Sequence, residues 1–297
     1  MRLAFLGAPD AAVPTLTALV DAGHDVVVVV SGPDRRRGRG GRATPTPVKA
    51  AAMELGLDVT DDLGSVTSAG AELGVVVAFG RIIPASILDE VPMINLHFSL
   101  LPRWRGAAPV ERAILAGDDR TGVCVMDVAE GLDTGAIHAV AEVPLDGDIT
   151  AADLTARLAR LGATLVVDVL DRGLDAGTPQ PDLGVTYAHK ITTEDRRLDW
   201  SLSAAALRRI VRIGGAWTTF RGERLKVLDA SVLDGSADAS AAHGTISGED
   251  LVVCGSATTL RLVTVQPAGR APMDASAWAR GAHPVGERLG DGSDPGA

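Results

Sequence analysis

Through its first two thirds the chain alternates short β-branched, apolar runs with segments whose apolar positions recur at helical spacing. Residues 2–7 read as a strand, 13–22 as a helix, and 25–31 as a second strand. The five consecutive valines Val26 to Val30 in that second strand imply burial on both faces. Residues 73–79 and 93–98 repeat the strand character, with a short helical turn predicted at 84–90 between them. A helix at 110–116, a strand at 122–128 and an outer strand at 136–143 follow. The long helix is 151–171, opened by Thr150 with Asp153 as a cap-like pair and closed by Gly173. Strands and helices in this alternation predict an α/β domain with a mostly parallel sheet under crossover helices.

The pattern then changes. Residues 175–198 contain Pro179, Pro181 and Gly184 with little periodicity and read as a linker. After a helix at 203–211 come short strands at 218–220, 224–233, 244–247, 250–254 and 259–265, separated by glycine-rich turns. That series predicts a small open barrel of the oligonucleotide-binding (OB) type, with a small sandwich as the alternative. Residues 290–297 are expected to fray. The organisation expected is a catalytic domain over 1–184, a linker over 185–203 and an OB-like β-barrel domain over 204–297.

Composition narrows the class. The chain has 297 residues, 28 Lys+Arg against 38 Asp+Glu and two cysteines. Cys124 and Cys254 are too few for a disulfide scaffold or a cysteine-rich metal site and suggest a reducing compartment. The first residues carry one positive charge and an apolar run stopped by Asp10, which argues against a secretory signal. No apolar stretch reaches the roughly 18 residues of a membrane helix. A cytoplasmic protein with no membrane partner is expected.

The net charge of −10 would disfavour a nucleic-acid partner were the charge evenly spread. It is not. Arg35, Arg36, Arg37, Arg39 and Arg42 stand against Asp34 alone, and the stretch 204–228 sets six basic residues, Arg208, Arg209 and Arg212 among them, against Glu223. Each cluster fits phosphate contact as well as an ordinary solvated surface.

Several chemistries are excluded by their missing motifs. There is no phosphate-cradling Gly-rich loop ending in Lys-Ser or Lys-Thr, no His-Glu-x-x-His and no Gly-x-Ser-x-Gly. The turn Gly7-Ala8-Pro9-Asp10 lacks the glycine spacing of a dinucleotide site. What remains is the segment from Asn95 to Pro109, at the carboxyl end of a predicted core strand, where ligands bind in open α/β sheets. Asn95 and His97, two apart on a strand, face the same way. Asp133, between glycines in Gly131-Leu132-Asp133-Thr134-Gly135, offers a carboxylate to orient a histidine and favour its charged form. An amide donor such as Asn95 suits an oxyanion in acyl transfer. Taken singly, Asn95 reads as a turn cap, His97 as a core histidine and Asp133 as a turn residue.

Taken together, these blocks resemble a known family. Asn95-Leu96-His97, Ser99-Leu100-Leu101-Pro102, Arg103-Trp104-Arg105-Gly106-Ala107-Ala108-Pro109 and Gly131-Leu132-Asp133-Thr134-Gly135 appear in the order found in folate-dependent formyltransferases. The resemblance continues through Val76-Val77-Ala78-Phe79-Gly80, Tyr187-Ala188-His189-Lys190-Ile191, Asp199-Trp200-Ser201-Leu202-Ser203-Ala204-Ala205 and Gln266-Pro267-Ala268-Gly269. The last blocks resemble the branch of that family that acts on initiator methionyl-tRNA, rather than shorter relatives that modify purine precursors or sugars.

The resemblance implies a Rossmann-like amino domain, 10-formyltetrahydrofolate as co-substrate, no metal, and a carboxyl barrel that helps hold tRNA; the protein is expected as a monomer. By the same resemblance, Asn95 would bond the formyl oxygen, His97 would handle protons, and Asp133 would orient His97 and a water. Folate contacts would come from Phe79, Gly80, Ser99, Leu100, Leu101 and Pro102. The family's inserted tRNA loop falls on Arg35, Arg36, Arg37, Arg39 and Arg42, with Arg39 on its most recurrent position. Support would come from Arg208, Arg209 and Arg212. Phe98, Ala8, Gly41, Arg42 and Gly214-Gly215-Ala216-Trp217 depart from the family pattern, outside the three polar residues. An amino-sugar formyltransferase or a formyltetrahydrofolate hydrolase would share the chemistry but lack use for the arginine loop and second domain. A silent RNA-binding module would lack use for the trio.

Overall fold

A computed structural model describes residues 1–36, 43–233 and 240–291. In chain order the elements are β1 (Arg2–Gly7), α1 (Val13–Asp21), β2 (Asp25–Val30), β3 (Arg35–Arg36), β4 (Ala43–Thr44), α2 (Pro47–Glu54), β5 (Val59–Thr60), α3 (Ser65–Ser68), β6 (Leu73–Val77) and α4 (Ala85–Glu90). Next come β7 (Met93–His97), β8 (Arg105–Gly106), α5 (Pro109–Ala116), β9 (Arg120–Asp127), β10 (Ile137–Pro144), α6 (Ala151–Arg172) and β11 (Tyr187–Ala188). The remainder is α7 (Ala204–Arg212), β12 (Trp217–Phe220), β13 (Glu223–Leu233), β14 (Leu251–Cys254), β15 (Thr258–Pro267), β16 (Met273–Asp274) and α8 (Ala275–Ala282). Two compact units result. One comprises residues 1–110, 119–145 and 153–190; the other comprises 111–118, 146–152 and 191–297, described here to Asp291.

The first unit is built on a seven-stranded sheet of order β10-β9-β7-β6-β1-β2-β5. The pairs among β5, β2, β1, β6 and β7 are parallel, while β9 and β10 run antiparallel at one edge. Parallel strands are covered on both faces, which explains why β1, β2 and β6 read as apolar runs without alternation. In β1, Leu3 and Phe5 point one way and Ala4 and Leu6 the other, and all four are fully buried. Ala4 and Leu6 pack with Val28, Val30, Val76, Met93 and Phe79, so the central strands are fixed by burial rather than local propensity. Each such Leu, Val, Met or Phe side chain contributes about 1.5–3 kcal/mol.

Helix α6 passes tightly over the strand that carries the site. A Cβ on Gly162 would meet Leu96 Cδ2 at 2.5 Å, so glycine is what lets the helix backbone approach β7. Because β1, β2, β6 and β7 are parallel, the segments following Gly7, Val30, Val77 and His97 all leave from the same edge of the sheet. That edge is where the predicted folate residues and the arginine loop begin.

The second unit has a five-stranded antiparallel sheet of order β12-β13-β15-β14 with β16 on β15. Strand β13 is 11 residues long and its register slips twice, between Val227 and Asp229 and again before Ala230. Such bulges bend a strand and raise its twist, and the sheet curls into an OB-like half-barrel. Helix α7 is opened by Ser203, whose hydroxyl accepts from the Ala206 N–H. It buries Ala204, Leu207, Ile210 and Val211 against Trp200, Val227, Leu260 and Trp278.

Several details differ from the sequence reading. The stretch expected as a linker contains β11, which pairs with β8, and Thr178, whose N–H and C=O both bond Ile137 at 2.8 Å. Residues 244–247 form only isolated bridges, Thr245 to Arg288 and Ile246 to Val252, because a strand needs a continuous partner. The fifth strand is instead the two-residue β16, and the carboxyl helix α8 was not foreseen. Gly290 is held by an N–H bond to Thr219 O, and the rest of the expected frayed end, 292–297, lies outside the described residues.

Candidate active site

Strand β7 presents the two polar residues whose spacing first singled them out. Asn95 sits between Val76 of β6 and Met126 of β9, and His97 lies opposite Cys124. The His97 ring is 6 % exposed, and its Nε2 is 2.9 Å from the Trp104 carbonyl. A carbonyl only accepts, so Nε2 carries a proton and Nδ1 is the nitrogen left for exchange. Facing Nδ1 at 3.6 Å is Oδ2 of Asp133. The same Oδ2 accepts the Gly106 N–H at 2.7 Å, which anchors the carboxylate. Asp133 itself is in the left-handed region (φ 49°), so its loop takes a conformation that local propensity disfavours. Asn95 is half-buried, and among the described residues nothing hydrogen-bonds its side chain.

The turn after β7 is shaped around that histidine. Ser99 is fully buried and its hydroxyl donates to Arg103 O at 2.6 Å, closing the turn from inside. Leu101-Pro102 is a cis peptide. Trp104 takes φ 66° with its N–H on Thr186 Oγ1, which aims its carbonyl at His97, and the Arg103 guanidinium covers its indole at 4.3 Å. Leu101 packs with Cys124 and Met126, and burial pushes the Cys124 thiol up to about 11, leaving it inert. Of the other residues expected at folate, Phe79 is buried, Gly80 is exposed, and Leu100 and Pro102 are half-buried. An unpartnered amide, an imidazole nitrogen and an anchored carboxylate at one sheet edge are suited to acyl transfer.

Family models match both parts of the chain: "Formyl transferase" over residues 1–170 and "Formyl transferase, C-terminal domain" over 190–283. The chain belongs to the formyltransferase family. Methionyl-tRNA formyltransferase of Novosphingobium aromaticivorans is 45% identical, over 98% of this chain and 100% of that one. The enzyme of the same name from Acidiphilium cryptum is 46% identical with the same coverage. An N-formyltransferase from Helicobacter canadensis, solved with folinic acid and dTDP-3-aminofucose, superposes with TM-score 0.69 at 15% identity over 90% of this chain and 99% of that one. That likeness concerns the fold. The fold class, the formyl-transfer activity and the enzyme class expected from the sequence are those of these relatives.

The basic residues expected at tRNA occupy different situations in this formyltransferase. Arg35 and Arg36 form β3, paired antiparallel with β4 at the base of the arginine loop, while Arg37, Arg39 and Arg42 lie outside the described residues. Arg208 bonds Gly147 O, Ala230 O and the Asp148 carboxylate. Arg212 bonds Ile149 O and Asp146 O, and its burial lowers the guanidinium pKa. Both therefore tie residues 146–149 to α7. Arg209 lies against Gly117.

Sequence reasoning missed Trp104, Gly106 and Gln180 as supports of the trio. Trp104 and Gly106 act through backbone groups, which residue type does not advertise. Gln180 sat in a stretch without periodicity. Among the described residues no cluster of three His, Cys, Asp or Glu could hold a metal ion, and no helix is long and apolar enough to cross a membrane.

Proposed function

We propose that this formyltransferase transfers the formyl group of 10-formyltetrahydrofolate to the α-amino group of methionine on initiator tRNA, in the cytoplasm. The pairing of His97 Nδ1 with Asp133 beside the unpartnered Asn95 carries the reading, together with near full-length relatives of that activity. The donor supplies a formyl carbon bonded to N10. Asn95 donates its amide N–H to the formyl oxygen as negative charge develops there. His97 Nδ1 accepts the proton that the attacking amine sheds as the new C–N bond forms, and a proton is returned to N10 as the C–N10 bond breaks. Asp133 holds the imidazole in that orientation and a water near N10. No net proton is consumed, and the chemistry requires neither metal nor redox change. Phe79, Gly80, Ser99, Leu100, Leu101 and Pro102 shape the folate site from the carboxyl ends of β6 and β7.

The first unit, residues 1–110, 119–145 and 153–190, carries the catalysis, and the second unit serves tRNA. Phosphate contacts come from the loop arginines Arg35, Arg36, Arg37, Arg39 and Arg42, with Arg209 in support. Arg208 and Arg212 contribute chiefly by holding 146–149, since their donors are already engaged within the protein. The test is transfer of labelled formyl to methionyl initiator tRNA, methionyl elongator tRNA, a sugar-nucleotide amine and water. A strong preference for initiator tRNA is expected; equal or better transfer to the sugar amine or to water would reassign the acceptor.

A further inference from the structure

We propose that Gln180 is a positioning residue of the active site, holding the Asp133 loop and the Trp104–Gly106 segment in a single arrangement. The inference rests on the role given above to Asp133. Gln180 lies in the stretch after α6 that carries little pattern of its own, yet all four hydrogen-bonding sites of its amide are engaged. Nε2 donates to Asp133 O and to Gly135 O, each at 2.9 Å. Oε1 accepts from Arg105 Nε at 3.1 Å and from Arg105 Nη2 at 2.7 Å. Two carbonyls on one side and a guanidinium on the other fix which way the amide faces.

The two segments joined in this way are the two that set the geometry of His97. On one side is the Asp133 loop, whose carboxylate meets Nδ1. On the other, Arg105 stands between Trp104, whose carbonyl holds Nε2, and Gly106, whose N–H holds the Asp133 carboxylate. Gln180 is itself braced. The Thr178–Ile137 backbone pair lies two residues before it, and upstream Asp175 bonds the Gly177 N–H at 2.9 Å and faces His138 Nδ1 at 3.4 Å. His138 Nε2 in turn bonds Asp127 at 2.7 Å, at the foot of the Asp133 loop. The strap thus starts from the sheet, crosses the loop and ends on Arg105.

An amide is needed because the two partners demand opposite polarity. Gln180→Glu keeps an acceptor for Arg105 but turns an oxygen toward the Asp133 and Gly135 carbonyls. Gln180→Leu removes both sides at similar size. Both variants, made in the full chain, are expected to lower kcat for formyl transfer by about 10-fold or more, with KM for the folate donor changed less than about 3-fold. They should also displace the pH–rate profile, because the carboxylate no longer sits at its distance from Nδ1.

The deciding measurement is a double-mutant cycle with Asp133→Asn. If Gln180 acts through Asp133, Gln180→Leu costs less than about 2-fold once Asp133 is Asn. An equal fractional loss in both backgrounds would overturn the proposal, as would a Gln180→Glu or Gln180→Leu enzyme with normal kcat. If Asp133→Asn alone retained full rate, the assignment of Asp133 would fall first. That outcome is separate from a failure of Gln180. Should Gln180→Leu not fold, Gln180→Glu, which keeps the Arg105 contact, supports the same cycle.

Discussion

Gly135→Ala is a perturbation whose size can be worked from the coordinates. A Cβ at this position would lie 1.9 Å from Asp127 O and 2.7 Å from its carbonyl carbon, where real Cβ contacts essentially never fall under 3.0 Å. Relief requires a displacement on the order of 1 Å. Asp127 is the less able to move, because its N–H bonds Ala136 O and the next residue, Val128, bonds Met93 O in the sheet. The loop shifts instead, and with it Asp133, two residues upstream, whose carboxylate is 3.6 Å from His97 Nδ1. A catalytic group misplaced by about 1 Å costs about 10²-fold in rate, and overpacking of this kind costs about 1–3 kcal/mol of stability. The assay is single-turnover formyl transfer at saturating donor, with thermal melting of the same preparation. A folded variant retaining more than about a third of the wild-type rate would refute the reasoning, since either Asp133 would not have moved with the loop or its position would not matter to the rate.

Other consequences are equally direct. Arg112 grips Asp195 through two bonds of 2.8 and 3.2 Å, and this contact, with the Thr192 N–H and hydroxyl, holds the Asp195 carboxyl at about 2 rather than its ordinary 3.8. The folded-state value is depressed, so the stabilisation is complete above the ordinary value and is lost as pH falls toward 2. Asp195→Ala should cost about 1–2 kcal/mol in urea unfolding at pH 7, with the gap to wild type narrowing below about pH 4; a constant gap would contradict the assignment. Leu207→Ala, at a fully buried site on α7, should lower stability by about 2–5 kcal/mol, measured by the same unfolding. Arg39→Ala should weaken use of tRNA while leaving folate binding intact and should reduce the salt dependence of tRNA affinity by about one phosphate contact, read from log affinity against log salt.

Much of the fold was legible because it is set by burial. The valines of β2 and the apolar run of β6 could be satisfied only inside a covered parallel sheet, and that is where they lie. Helix α2 left a signal that the reading passed over: Thr46 caps it by accepting from the Lys49 N–H, and Pro47 occupies its first position. The carboxyl sheet was recognisable by its short strands, but β16 and α8 depend on pairing and packing that arise only once β15 is in place.

The site divides in the same way. Asn95 and His97 were visible because a strand's two-residue period fixes their common face. The meeting of Asp133 with His97 was a matter of resemblance, since 36 residues of chain separate them and no local rule brings them together. The backbone partners of His97 and Asp133 depend on the φ of Trp104 and on the path of the turn. The bonds of Arg208 and Arg212 to the carbonyls of 146–149 were not legible, because sequence shows the charge on α7 but not the backbone groups that meet it.

The central claim is that Asn95 stabilises the formyl oxygen while His97 and Asp133 manage the proton. The most direct test is single-turnover transfer from 10-formyltetrahydrofolate to methionyl initiator tRNA by Asn95→Ala, with donor affinity and melting temperature measured on the same protein. Loss of one oxyanion donor predicts a rate lower by about 10²- to 10³-fold, with folding and donor binding largely preserved. Near-normal turnover by Asn95→Ala would contradict the account.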